Sequence, residues 1–143
     1  MRVLFDTSVL VPAVVDQLAN HEATLDALLG YTDGEHTAYC STHALAECYA
    51  TLTALPLRRR ILPAEARQLV EESLLERLTA VPLTRNDYVD ALRRVADGGF
   101  ASGVVYDALH VCCAERIPVD RILTSNLSDF ERLRPAGIAV MTP

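Results

Sequence analysis

Four acidic residues stand where a solvated carboxylate is hard to explain: Asp6, Glu47, Asp107 and Asp129. Asp6 follows the apolar run Val3-Leu4-Phe5 directly and precedes Thr7-Ser8, a place for a helix cap or for a ligand. Glu47 sits among Leu45, Ala46, Cys48, Tyr49 and Ala50, and helical spacing groups it with His43, Ala50 and Thr51. A solvated helix face is the alternative there. Asp107 shares a helical face with Gly103, Val104, His110, Val111 and Ala114, and none of these marks a solvent surface. A carboxylate in that setting must be ion-paired, metal-bound or protonated, because burying it alone costs several kcal/mol. Asp129 comes third after Asn126 in Thr124-Ser125-Asn126-Leu127-Ser128-Asp129-Phe130, where a first-turn acid and a functional acid fit equally well. Carboxylates gathered at one place repel each other unless a hard cation lies between them. Ligands that are all oxygen favour Mg²⁺ or Mn²⁺ over zinc.

The elements that must position these acids alternate in type. Short apolar strands are expected at Arg2 to Phe5, Thr37 to Cys40, Thr79 to Leu83, Arg121 to Thr124 and Ile138 to Met141. Helices are expected after Thr7-Ser8 with Pro12 in the first turn, over Asn20 to Leu29 closed by Gly30, and from Thr42 to Leu55. Pro63 opens another, with Ala66, Leu69, Val70, Ser73, Leu74 and Leu78 in one stripe. Thr84 with Asp87 reads as a capping box before the stripe Tyr88, Ala91, Leu92, Val95, which Gly98-Gly99 ends. A helix apolar on nearly every side spans Gly103 to Arg116, and a short one spans Asn126 to Leu133. Strands alternating with helices predict an α/β fold: a mainly parallel central sheet between two helical layers. Sites in such sheets form at the carboxyl ends of strands, where Asp6 stands. No repeat or long linker divides the 143 residues, so one domain over 1–143 is expected.

Composition removes several alternatives. The chain contains no lysine; all thirteen basic residues are arginine. Schiff-base chemistry is therefore excluded, and phosphoacceptor receiver domains and haloacid-dehalogenase phosphatases, which place a lysine near the phosphate, are disfavoured. The phosphatase motif would also want an acid where Ser8 stands. Cys40, Cys48, Cys112 and Cys113 form no C-x-x-C pair, so they read as buried free thiols of a reducing compartment. With no apolar run long enough to span a bilayer and Asp6 interrupting any leader, no membrane partner and a cytoplasmic location are expected. A net charge of −6 argues against binding nucleic acid through bulk charge, although bound cations would neutralise an acidic patch.

At the four acids the chain resembles the PIN domain, and most closely its VapC-type toxin branch. Val3-Leu4-Phe5-Asp6-Thr7-Ser8 resembles that family's opening strand and first acid. Ala44-Leu45-Ala46-Glu47 resembles its second motif, Tyr106-Asp107-Ala108-Leu109-His110 its third, and Leu123 to Phe130 its fourth. All four occur in order over nearly the whole chain. The resemblance implies an α/β/α sandwich, Mg²⁺- or Mn²⁺-dependent endoribonuclease activity on RNA, a homodimer, and a cognate antitoxin as partner. Family members vary between the positions of Asn126 and Asp129 for the last acid; an Asn at 126 favours Asp129. On that reading Asp6, Asp107 and Asp129 hold one ion, with Glu47 bound through water or to a second ion. Thr7, Ser8, Thr124 and Asn126 would orient water or phosphate, with capping as the alternative role. Arg58, Arg59 and Arg60, the one basic cluster, would grip RNA phosphates or make a solvated or dimer contact. Phe100 and Tyr49 could stack on bases, a core role being the alternative for Tyr49. His110 reads as a core histidine or a support for Asp107, while His21, His36 and His43 form no ligand pattern. A structure-specific DNA nuclease and a non-catalytic binding module remain as alternatives.

Overall fold

Val3, Leu4 and Phe5 are wholly buried, and their alternation sets the architecture. They belong to β1 (Arg2–Phe5), the central strand of a computed structural model that describes residues 1–143. β2 (Thr37–Ser41), β3 (Thr79–Val81), β4 (Arg121–Leu123) and β5 (Ala139–Met141) complete a five-stranded sheet in the order β3-β2-β1-β4-β5. Every neighbouring pair is parallel. The expected α/β sandwich with a parallel sheet is therefore the observed fold.

Val3 and Phe5 pack into one core with α1 (Thr7–Ala13), α2 (His21–Tyr31), α3 (Thr42–Ala54) and α4 (Pro63–Gln68). Leu4 packs into a second core on the opposite face, with α5 (Arg85–Asp97), α6 (Val104–Arg116) and α7 (Leu127–Arg132). A strand covered on both faces must be apolar on both, which is why β1 reads as a continuous hydrophobic run. No helix is long and apolar enough to cross a membrane.

Several local expectations need correction. Pro12 is the sixth residue of α1 and not in its first turn. A proline there removes the donor that would serve the Ser8 carbonyl, and the Ser125 hydroxyl donates to that carbonyl instead at 3.3 Å. Helix α2 runs through Gly30 to Tyr31. Its end is closed by Thr32, whose hydroxyl donates to the Leu28 carbonyl at 2.7 Å. Helix α4 passes into a wide π-type turn at Leu69–Leu74, with Leu75 N–H donating to the Val70 carbonyl at 2.9 Å. Helix α5 is rotated from the expected stripe: Asp87, Ala91 and Val95 are buried, while Tyr88 and Leu92 are exposed. The rotation follows from Asp87, which closes the predicted capping box with Thr84 and also accepts from the Arg116 guanidinium at 2.9 and 3.1 Å. Burial works against the Asp87 carboxylate, yet the bonds from Arg116 and Thr84 hold its pKa below the ordinary value.

Candidate active site

The chain runs from β1 to β2 and β3 on one side of the sheet, then crosses to β4 and β5 on the other. The direction of winding reverses between β1 and β4, which opens a crevice beyond their carboxyl ends. Asp6 and Thr124 are the first residues past those ends, and the register Phe5↔Leu123 sets them side by side. A cleft of about 340 Å³ lies there, and Asp6, Glu47, Asp107 and Asn126 are among its walls.

Each acid is held differently. Asp6 caps α1 and is almost fully buried. Its Oδ2 accepts from the Ser8 hydroxyl at 2.5 Å, the Thr124 hydroxyl at 2.9 Å and the Ser8 N–H at 3.4 Å. Oδ1 has only His110 Nε2 near it, at 3.6 Å. Cap and cleft wall, which were alternatives for Asp6, are thus both occupied by the same side chain. Ser8 and Thr124 are tied to Asp6 and to the next turn: Ser125 N–H donates to Ser8 Oγ and Asn126 N–H to Thr124 Oγ1, each at 2.9 Å. Thr7 also lines the cleft, and its hydroxyl is buried without a hydrogen-bonding oxygen or nitrogen.

Glu47 comes from the middle of α3, and its Oε1 accepts from His110 Nε2 at 2.8 Å. A carboxylate only accepts, so Nε2 carries the proton; Nδ1 faces the Ser41 hydroxyl at 2.9 Å. His110 is completely buried, which alone would lower its pKa. Glu47, Asp6 and Asp107 outweigh that and raise it. His43 Nε2 lies 3.3 Å from the same Glu47 oxygen without hydrogen-bond alignment, and its ring stacks on Tyr106 at 5.0 Å. Burial lowers the His43 pKa.

Asp107, in the first turn of α6, is half-buried and accepts no hydrogen bond from any protein group. Desolvation, then the charges of Asp6, Asp129 and Glu47, push its pKa up to about 7, against the pull of His110. No arginine lies among the cleft walls. Asp129 is outside the walls: it turns to Arg132, with Oδ1 3.2 Å from Nη1, and reaches Asp107 only through its charge. Asn126 takes the wall position at the start of α7 without capping it through its side chain.

The donor set suits a hard divalent cation. Asp6 Oδ1, the second oxygen of Glu47 and both oxygens of Asp107 are left unbonded within the chain, and all are carboxylate oxygens. The ligand atoms of these three acids do not all lie within 4.8 Å of one another. Helical spacing had already grouped His43 with Glu47, whereas Ser41 and Tyr106 were not anticipated as neighbours of the acids. His43 four residues before Glu47 and His110 three after Asp107 carried the available signal; the Ser41 contact depends on the packing of α6 against β2. None of Arg58, Arg59 and Arg60 is among the walls of the carboxylate cleft. Arg59 pairs with Glu65 at 2.6 Å, and Arg59 and Arg60 line a separate cleft whose walls include Asp16, Glu65 and Glu72.

Comparison with known proteins agrees with this architecture. Ribonuclease VapC27 of Mycobacterium tuberculosis is 37% identical over 105 residues, which is 73% of this chain and 70% of that protein. The crystal structure of Mycobacterium tuberculosis VapC20, a toxin that cleaves the sarcin–ricin loop, superposes with a TM-score of 0.72 at 14% identity, covering 96% of this chain and 98% of that one. Rickettsia felis VapBC2, solved bound to a promoter DNA fragment, gives 0.67 at 18% identity over 100% and 99%. The profile of the PIN domain matches residues 3–134, so this chain belongs to the PIN domain family.

Proposed function

We propose that this chain is a Mg²⁺- or Mn²⁺-dependent endoribonuclease and the toxin of a toxin–antitoxin pair. The observation that carries the reading is the convergence of Asp6, Glu47 and Asp107 on one cleft with no arginine between them. The 37% identity to Ribonuclease VapC27 supports RNA as the substrate class. The likeness to VapBC assemblies supports a cognate antitoxin as partner.

In this reading Asp6 Oδ1 and Asp107 hold the ion, Glu47 reaches it directly or through water, and Asp129 contributes negative charge from outside the walls. When bound, the ion offsets charge on the phosphoryl oxygens and lowers the pKa of the attacking water. Ser8 and Thr124 fix Asp6 so that one oxygen stays free, and His110 does the same for Glu47. A cleft carboxylate accepts the proton of the attacking water. No 2′-hydroxyl acts as nucleophile, so the ends are 5′-phosphate and 3′-hydroxyl. The protein acts in the cytoplasm, paired as a homodimer.

Incubation of total RNA with the protein, in Mg²⁺, Mn²⁺ or EDTA, tests the reading beside the variant Asp107→Asn and a single-stranded DNA control. Cleavage of RNA alone that needs metal and falls about 10³-fold in the variant is expected, the equivalent of ~4 kcal/mol. Ends bearing 2′,3′-cyclic phosphate, or cleavage that persists in EDTA, would overturn the mechanism; cleavage of DNA alone would move the substrate class.

A further inference from the structure

A third cleft, of about 420 Å³, lies between the C-terminal end of α5 and α7. Arg94, Arg132 and Arg134 line it against a single acid, Asp97, on a chain whose net charge is −6. Arg94 is engaged with Glu115 at 2.7 Å, whereas exposed Arg134 makes no ion pair. The floor is Phe100, whose N–H donates to the Val95 carbonyl at 2.8 Å. Its ring lies so close to Gly98 that a Cβ there would come within 2.6 Å of it. Over the ring, 4.5 Å from its centre, sits the Arg132 guanidinium. The same group bonds Asp129, and the Arg132 side chain remains 56% exposed.

The guanidinium thus has two independent neighbours, the Phe100 ring and the Asp129 carboxylate, while the side chain stays more than half open to solvent. A flat, charged surface of that kind accepts a nucleobase by stacking, and a free arginine beside it accepts phosphate. The position is as telling as the chemistry. Asn126 at the start of α7 lines the carboxylate cleft, and Arg132 at the end of the same helix lines this one. Six helical residues span only about 9 Å.

We propose that this cleft binds single-stranded RNA beside the cut, one nucleobase stacking on Arg132 to complete a Phe100–Arg132–base stack and Arg134 holding a neighbouring phosphate. The inference rests on the ribonuclease reading and supplies its strand-anchoring contact. The cleft beside Arg59 and Arg60 is the poorer candidate, since Asp16, Glu65 and Glu72 stand in its walls.

The test uses the intact protein in EDTA with a fluorescently labelled 12-nucleotide RNA, read by anisotropy, together with photocrosslinking of 4-thiouridine RNA. Arg132→Lys keeps the charge but loses the plane and should weaken binding about 5-fold; Phe100→Leu should do the same or more. Arg134→Ala should weaken binding and make it less salt-dependent, reducing the slope of log K against log salt by about 1. Crosslinks should fall in the peptide containing Arg132. With metal added, the variants should raise KM on the 12-nucleotide RNA. Wild type that cleaves RNA while the three variants bind like it, with crosslinks elsewhere, removes this cleft and leaves the ribonuclease. Wild type that binds and crosslinks as expected but never cleaves supports the cleft and removes the ribonuclease. Absence of both binding and cleavage overturns both.

Discussion

Asp107 has no hydrogen-bond donor from the chain and three carboxylates acting on it, so its folded form prefers the proton. A raised carboxyl pKa means that stability is highest when the group is protonated. It falls as pH rises from the ordinary carboxylate range near 4 to about 7. His110 acts in the same direction, because its raised pKa makes the protonated ring the stabilising form, and that contribution is lost as pH climbs above the ordinary imidazole value. Thermal melts in EDTA should therefore give a lower Tm at pH 8 than at pH 5.5. The Asp107 share is on the order of 1–2 kcal/mol once solvent access to this half-exposed group is discounted. Mn²⁺ should raise Tm more at pH 8 than at pH 5.5, since it competes with the proton for the same oxygens. Equal shifts at the two pH values would mean that the ion binds elsewhere. His110→Ala removes the donor to Glu47 and leaves a void; calorimetric titration should show Mn²⁺ affinity reduced about 10-fold, with ~2–4 kcal/mol lost in stability.

At the scale of elements, the start of α5 rests on Asp87, which closes the cap of its own helix and holds Arg116 of α6. Asp87→Ala should cost about 2 kcal/mol by urea denaturation, because a cap and an ion pair go together. Its cleavage rate at saturating RNA should stay unchanged, since no wall of the carboxylate cleft comes from α5. Gly98→Ala tests a different contact. The added Cβ must displace the Phe100 ring and approaches the Arg94 carbonyl at 3.2 Å, a strain of about 1–2 kcal/mol. The ring would move from beneath Arg132, and RNA binding should weaken along with stability. The capping box, the apolar strands and the Pro63 start were legible because they depend on neighbours within four residues. The rotation of α5 was not, because Arg116 lies on the next helix, 29 residues along the chain. The wide turn at Leu69–Leu74 was hidden for a similar reason: periodicity reports which residues are apolar, not how many residues close each turn.

Across the whole molecule, the reversal of winding between β1 and β4 gathers residues from the two ends of the chain. Asp6 and Thr124 bond across 118 positions, and His110 and Glu47 across 63. The same packing encloses the thiols. Burial pushes Cys40 up to about 12, and Cys112 and Cys113 to about 11. A thiol-reactive dye should therefore leave all four cysteines unmodified in the native protein at pH 8 and modify all four in denaturant. Rapid labelling of the native chain would show that one of the two cores opens.

The sequence by itself determined the element types, the parallel sheet and the candidate acids. Each follows from local chemistry: alternation of apolar residues, capping residues, and a carboxylate in apolar company. Only the tertiary structure decided which acids share a wall. Asp6, Glu47 and Asp107 converge because a strand end, a mid-helix face and a helix start meet at the switch point. Asp129 turns aside because Arg132, one helical turn on, offers it a nearer charge. The same geometry kept Arg58–Arg60 out of the walls of the carboxylate cleft and brought Phe100, Arg132 and Arg134 together, since packing sets the distance between residues far apart in the chain.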